Sequence, residues 1–325
     1  MKILILGCGS IGSRHALNLK KLGVKEIILC DLDEKRVNQL GKKLGIKKIF
    51  TNYKIAVEEI PDISAALICI PTKFHIEPSI FLARKKIHLF IEKPLSHNLK
   101  NMKILKNIVQ ENKIKIMMGN VYFFDDGFNK IKSMVEKNRI GKIFHASYLQ
   151  GQYLPDWHPK MDYKTEYSAR KDMGGGSLLT LTSHSFYVLE WILDEIKTIH
   201  GEWVGRKGSL DIDVDDTAFF LFETKNGIII ESHNDFLSRV HQHKLIIEGE
   251  KGRLEYDFAI KKINILLKNK KPIIINTIKD DNDRFLREMK YFLKLISTKN
   301  QLDKNLKLDK GIHFLQLMKK TLQRL

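Results

Sequence analysis

The stretch Gly7-Cys8-Gly9-Ser10-Ile11-Gly12-Ser13-Arg14-His15 constrains this chain more than any other. It follows Lys2-Ile3-Leu4-Ile5-Leu6, an apolar run of the kind a strand buried on both faces shows, and it leads into Ala16 to Leu22, where apolar residues recur at helical spacing. Strand, glycine turn and helix in that order form a phosphate cradle. Gly7 can take the tight turn, Gly9 lets backbone approach a pyrophosphate with no Cβ in the way, and Gly12 lets the helix pack closely. The first helical turn, which opens on Ser10 and Ile11, then presents its N–H groups and the positive end of the helix dipole to the phosphates. About 20 residues on, where the fingerprint expects an acid, Glu26-Ile27-Ile28-Leu29-Cys30 reads as a second strand ending in Asp31. A carboxylate there accepts both ribose hydroxyls of an adenosine and repels a 2′-phosphate, which favours NAD. Asp33 and the basic pair Lys35-Arg36 leave NADP open.

A glycine turn alone is weak evidence; its flanking strand, its helix and the acid at the right spacing give it weight. At 325 residues the chain is long enough for two domains, and no apolar run reaches the roughly 18 residues of a membrane span. Met1 leads straight into a strand with no signal peptide ahead of it, so the expected compartment is the cytoplasm. Cys8, Cys30 and Cys69 are odd in number, fall in or beside expected strands and lack CxxC spacing, so neither disulfides nor a metal is implied. The net charge of +18 raises nucleic acid as a partner. The lysines are spread along the chain, however, and the densest cluster, Lys261 to Lys271, is interleaved with Ile and Leu and has no stacking aromatics, which reads as a solvated basic surface.

Taken in order, the first part alternates helices with nearly all-apolar strands: Glu34–Leu44 as a helix, Lys48–Phe50 as a strand, Ala65–Ile70 closed by Pro71-Thr72, Ile87–Ile91 closed by Glu92-Lys93-Pro94, Asn98–Asn112 as a helix and Ile114–Val121 as a sixth strand. That alternation specifies an α/β domain with a doubly wound parallel sheet over residues 1–121. From 122 to 325 the pattern changes to an α+β domain. Phe128–Lys137 reads as a helix and Ile143–Gly151 as a strand; a loop rich in Tyr, Trp, Asp and Pro follows, and Gly174-Gly175-Gly176 then introduces an amphipathic helix from Ser177 to about Leu193. Strands without intervening helices come next, at 217–223, 227–233, 244–248, 253–258, 263–268 and 272–278, with hairpin signals at Asn226-Gly227 and Glu250-Lys251-Gly252. They form a mainly antiparallel sheet. Two closing helices, 283–296 and 309–325, cover it or return to the first domain.

Four motifs in sequence order resemble the glucose-fructose oxidoreductase and inositol dehydrogenase family, Gfo/Idh/MocA. They are the glycine opening ending in His15, the Ile70-Pro71-Thr72 turn with His75 three residues on, Glu92-Lys93-Pro94, and the triple glycine leading to His184. The likeness covers essentially the whole chain, in order, and the motifs are specific as a set. The resemblance implies a Rossmann domain followed by an open-faced sheet domain, and NAD- or NADP-dependent oxidation of a sugar or cyclitol hydroxyl. It also implies a homodimer or homotetramer associating through the sheet face. Pro71, Thr72, His75 and Glu92 are implied at the cofactor, with Lys93 and His184 at the reacting carbinol. Relatives carry an Asp four residues before this His, where the present chain has Thr180.

The residue chemistry agrees with that implication. A lysine at the C-terminal end of a parallel strand lies where ligands gather in open α/β sheets, and its ammonium can donate to the reacting oxygen. A neutral imidazole suits a general base for the hydroxyl proton. In the loop 153–170, Trp157, His158, Asp162, Tyr163, Tyr167 and Arg170 combine flat apolar faces with hydrogen-bonding tips, which suits a sugar ring. Arg170 and Lys171 add the means to grip a phosphate, so the leading substrate is a sugar, with a nucleotide-linked or amino sugar included and a cyclitol as the alternative. A cofactor-binding regulator without turnover is a third reading, motivated by Thr180. His241 and His243 share a strand face without further ligands, so no metal is read there, and Tyr167–Lys171 matches YxxxK by chance.

Overall fold

The computed structural model describes residues 1–157, 159 and 161–325. In chain order the elements are β1 (Lys2–Leu6), α1 (Ser10–Lys21), β2 (Glu26–Cys30), α2 (Glu34–Leu44), β3 (Ile49–Phe50), α3 (Tyr53–Glu59), β4 (Ile63–Ile68), α4 (Ile76–Arg84), β5 (His88–Glu92), α5 (Met102–Asn112) and β6 (Ile116–Gly119). There follow α6 (Asp126–Glu136), β7 (Ile143–Gly151), α7 (Ser183–Ile192), β8 (Ile196–Gly205), β9 (Thr217–Thr224), β10 (Ile229–Asp235), β11 (Gln242–Gly249), β12 (Gly252–Asp257), β13 (Lys262–Leu267), β14 (Ile273–Asn276), α8 (Asp283–Ser297), α9 (Leu308–Leu317) and α10 (Lys319–Arg324). Two compact units emerge, Met1–Gly119 with Phe285–His313, and Asn120–Arg284 with Phe314–Leu325. Set beside the boundary expected after residue 121, the chain recrosses it, because 285–313 group with the first unit. The reason is apolar: Phe292 on α8 is fully buried and meets Phe90 of β5 edge-on, with ring centroids 5.5 Å apart.

The first unit holds a six-stranded sheet in the order β3-β2-β1-β4-β5-β6, every pair parallel. β1 lies in its middle, flanked by β2 and β4, so Ile3, Leu4 and Ile5 have no accessible surface. This is why the sequence shows an unbroken apolar run there rather than alternation. The strand order places its reversal between β1 and β4, the position where doubly wound sheets bind ligands beyond their C-terminal strand ends.

The second unit holds an eight-stranded sheet, β14-β13-β12-β11-β7-β10-β9-β8, antiparallel except for the parallel β7–β10 pair. In β9, Ala218, Phe220 and Phe222 are buried, whereas Phe219 and Leu221 are exposed: one face makes the core and the other does not. Asn226-Gly227 turns the β9–β10 hairpin, with Gly227 at φ +80°. β8 was not expected. Its register shifts at Ile196/Thr198 and at Ile199/Gly201, and these irregularities break the alternation by which an edge strand is read from sequence.

The helix expected to be amphipathic from 177 differs more. Leu178–Thr182 form a π-helical turn that runs into α7. Every residue of that turn is buried, and in α7 only His184 and Trp191 are not. A π turn inserts an extra residue into the helical repeat, and such turns concentrate at functional sites.

Candidate functional site

The cofactor cradle begins at Gly7, whose φ of +99° and whose contacts exclude any side chain: an added Cβ would lie 2.4 Å from the Cys69 carbonyl oxygen. At Gly12 it would lie 1.8 Å from the Gly7 carbonyl oxygen, so the helix can start this close to the turn only without a Cβ. Gly9 differs, since nothing lies within 4 Å of its missing Cβ. That open space is where backbone can meet a ligand. α1 starts here with exposed Ser10 and half-buried Ile11, with no side-chain cap and no acid in its first turn, so its leading N–H groups are not taken by the chain's own side chains. An uncapped twelve-residue helix facing a glycine cradle fits a pyrophosphate. Asp31, at the end of β2, accepts the Cys8 N–H at 2.7 Å and the Asp33 N–H at 2.9 Å, and Arg36 stands 3.6 Å away. The acid therefore holds the glycine turn in shape, and Arg36 is the basic neighbour on which the NADP alternative rests.

Beyond β4, Pro71 is half-buried and Thr72 buried at the start of a short 3₁₀ turn. His75, implied at the cofactor, is 1% exposed, with Nδ1 3.0 Å from the Pro94 carbonyl oxygen and Nε2 2.7 Å from the Ile70 carbonyl oxygen. Its polar atoms thus serve the backbone. Glu92, at the end of β5, has its carboxylate 2.7 Å from Nε2 of the fully buried His15. Between Glu92 and Pro94 lies Lys93, half-buried, and burial pulls its ammonium down to about 8. A lysine so shifted exchanges its proton near neutral pH.

In the second unit, His184 is half-buried on α7, its ring 4.6 Å from that of Tyr122. Burial pushes the Tyr122 hydroxyl up to about 12, and it accepts a 3.5 Å hydrogen bond from the Gln150 amide. The Thr180 hydroxyl donates to the Gly176 carbonyl at 2.7 Å, one turn back. Sequence reasoning missed Asp215. It is buried, accepts from the Ser177 hydroxyl and the Leu178 N–H at 2.7 Å each, and so fastens the start of the segment that carries His184. Burial raises its carboxyl to about 6. The glycines gave the only hint, because an added Cβ on Gly176 would lie 2.2 Å from Asp215 Oδ1.

The loop is less open than the sequence reading expected. Trp157 meets Phe236 edge-on at 5.3 Å, and with Tyr163 it packs on a cluster of Leu154, Ala169, Leu181, Leu210, Ile212, Val214 and Phe236. Tyr163 accepts the Asp211 N–H through its hydroxyl, and Asp162 caps the next turn by accepting from Lys164 N. Arg170 is held in a two-pronged pair by Asp172, at 3.0 and 2.6 Å, and the Lys171 ammonium donates to the Leu325 main-chain oxygen. Neither cation is arranged as the phosphate grip expected of them. His158 lies outside the described residues. His243 is buried with Nε2 2.5 Å from the Tyr148 hydroxyl, so it serves the sheet core.

Known proteins carry the same plan. Residues 1–120 match the model of the oxidoreductase family with an NAD-binding Rossmann fold, and residues 128–255 match the C-terminal domain model of the same family, GFO/IDH/MocA. The chain belongs to the Gfo/Idh/MocA family. It is an NAD-dependent oxidoreductase of the CH–OH-acting kind. Over 313 residues, 92% of this chain and 89% of the relative, it is 26% identical to a myo-inositol 2-dehydrogenase of Thermotoga maritima. Two solved members share the fold. An inositol dehydrogenase homolog from Azotobacter vinelandii complexed with NAD+ superposes at a TM-score of 0.79, with 16% identity over 99% of this chain and 94% of that one. The WlbA dehydrogenase from Bordetella pertussis, in complex with NADH and UDP-GlcNAcA, superposes at 0.81, with 16% identity over 100% and 94%. Among the described residues no helix of this Gfo/Idh/MocA member is long and apolar enough to cross a membrane.

Proposed function

We propose that this protein oxidises a ring carbinol of an uncharged polyhydroxylated substrate, a cyclitol or a free sugar, with NAD. The observation that carries the reading is Lys93, half-buried at the C-terminal end of β5 in the unit that holds the glycine cradle, its ammonium lowered to about 8. Bound nicotinamide supplies the hydride acceptor. Lys93 donates to the carbinol oxygen and stabilises its developing negative charge; His184 is the residue that the family resemblance implies as general base. The cradle of Gly7, Gly9, Ser10, Ile11 and Gly12 holds the pyrophosphate, Asp31 the ribose, and Pro71 and Thr72 line the cofactor's path.

The cyclitol or free sugar ranks above the nucleotide-linked sugar because the Arg170 guanidinium is engaged by Asp172 and the Lys171 ammonium by the Leu325 main-chain oxygen. The T. maritima relative named for myo-inositol, matched over 89% of its length, supports the same order. A second copy of this chain covers the outer face of the eight-stranded sheet, where Trp203, Phe219, Leu221 and Ile229 stand exposed on one side of β8, β9 and β10. The test is NADH formation from NAD with myo-inositol, scyllo-inositol, glucose, glucose 6-phosphate and UDP-N-acetylglucosamine. Turnover of the uncharged rings, lost in Lys93→Met, is expected. Turnover of the nucleotide sugar alone overturns the substrate assignment, and an unimpaired Lys93→Met overturns the role of Lys93.

A further inference from the structure

Lys93 sits between two neighbours, each fastened by a different buried histidine. Before it, the Glu92 carboxylate is 2.7 Å from His15 Nε2; a carboxylate oxygen accepts, so Nε2 carries the hydrogen and donates. His15 is fully buried in α1, the helix that opens at the glycine cradle, and Phe90 and Phe285 pack edge-on against its ring. After it, the Pro94 carbonyl oxygen lies 3.0 Å from His75 Nδ1, while the other nitrogen of that ring reaches the Ile70 carbonyl at the exit of β4. Proline has no N–H of its own, so its carbonyl is the one main-chain hydrogen-bonding group by which the residue after Lys93 can be held. Space for the bracket is made by Gly119 on the neighbouring strand, where a Cβ would lie 3.1 Å from Glu92 Oε2 and 2.9 Å from the Phe90 ring.

We infer that His15 and His75 are positioning residues for Lys93: one ties it to the cofactor-cradle helix, the other to the end of β4, and together they keep its ammonium in the dry setting that the chemistry uses. The inference rests on the catalytic reading of Lys93. It departs from the expected placement of His75 at the cofactor, since both ring nitrogens of His75 face backbone oxygens that only accept. The charged and titratable groups around the bracket are Glu92, Lys93 and the two imidazoles, on β5, its exit, α1 and the turn before α4, with the buried Cys69 thiol after β4 facing Glu92 and the buried Glu288 carboxylate of α8 beside that thiol.

The test needs no turnover. Acetic anhydride acetylates neutral amines, so the pH dependence of Lys93 acetylation, read by peptide mass spectrometry on the full-length protein, reports the ionisation of that one side chain. In the wild type the midpoint should lie near 8. In His75→Gln and His15→Gln it should move up by at least one pH unit toward the ordinary lysine value, while NADH affinity, followed by fluorescence, stays within about twofold. An unshifted midpoint in both variants overturns the inference. Should either variant fail to fold, nitrogen-15 spectra of the wild-type rings decide: burial favours the neutral His75 ring, whose single proton must sit on Nδ1, toward the Pro94 carbonyl, and exchange slowly, whereas a proton on Nε2 or rapid exchange overturns the bracket. An unimpaired Lys93→Met in the NADH assay would instead overturn the catalytic reading and leave the bracket standing, so the two failures are distinguishable.

Discussion

Replacing Asp31 by alanine removes two things that the structure keeps separate. One is internal: the carboxylate accepts N–H groups from Cys8 and Asp33. Cys8 is buried, so its orphaned N–H costs about 1–3 kcal/mol, whereas exposed Asp33 turns to water at little cost. That loss loosens the glycine turn and weakens every dinucleotide alike. The other is external: each charged hydrogen bond to a ribose hydroxyl contributes about 1.5–3 kcal/mol, which is roughly a 10- to 150-fold loss of NAD affinity for even one of them. NADP carries a 2′-phosphate that the carboxylate repels, so for NADP the lost repulsion offsets the loosened turn. The ratio of NAD to NADP affinity, measured by titration calorimetry, should fall at least tenfold in Asp31→Ala. Asp31→Asn keeps a carbonyl oxygen for the Cys8 N–H and removes the charge, so it should change the ratio with a smaller loss of amide-exchange protection at Cys8. Equal losses of both cofactors in Asp31→Ala would refute the ribose role, and unchanged protection at Cys8 would refute the role in holding the turn.

Three further outcomes follow from the same geometry. Burial lowers Lys93 to about 8, so the folded chain releases that proton while the unfolded chain still holds it; the melting temperature should rise with pH between about 8 and the ordinary lysine value, and Lys93→Met should flatten that rise. Asp215 has the opposite sign: its carboxyl is raised to about 6, so its contribution to stability is present below the unfolded-state value of about 4 and is lost as pH rises through 6. Asp215→Asn should remove that decline in melts taken across the interval, and an unchanged slope would count against the assignment. Phe219→Asp with Leu221→Asp places charge on the exposed sheet face and should reduce the sedimenting species to a monomer; a wild type that already sediments as a monomer refutes the association.

The cradle was legible because its chemistry is local. Gly7, Gly9, Gly12 and Asp31 lie within one strand-helix-strand unit, and each position is specified by a backbone angle, a close approach or a hydrogen bond reachable from its neighbours. The sheet of the second unit was legible where alternation survives, as in β9, and lost where bulges interrupt it, as in β8. The π turn before His184 escaped because Ser177, Thr180, Thr182 and Ser183 read as a polar face, whereas each is buried. Three of the hydroxyls have partners: that of Ser177 binds Asp215, and those of Thr180 and Ser183 bind carbonyls one turn back. Arg170 and Tyr163 illustrate a different limit. Their residue types suit a sugar ring, but Asp172, two residues from Arg170, takes the guanidinium by a local loop conformation that no periodicity signals, and the Asp211 N–H becomes a neighbour of Tyr163 only through the fold.

The first unit is assembled from two pieces of chain, and the later one, 285–313, supplies Phe292 against Phe90 and Phe285 against His15. A ribosome that has finished β6 has therefore not yet made the part that closes this core. The nascent nucleotide-binding half must wait through more than a hundred and fifty further residues, Asn120 to Arg284, before its last helix arrives. A fragment cut at residue 121 would lack those aromatic partners, so the core beneath the glycine cradle closes only once residues 285–313 have been made.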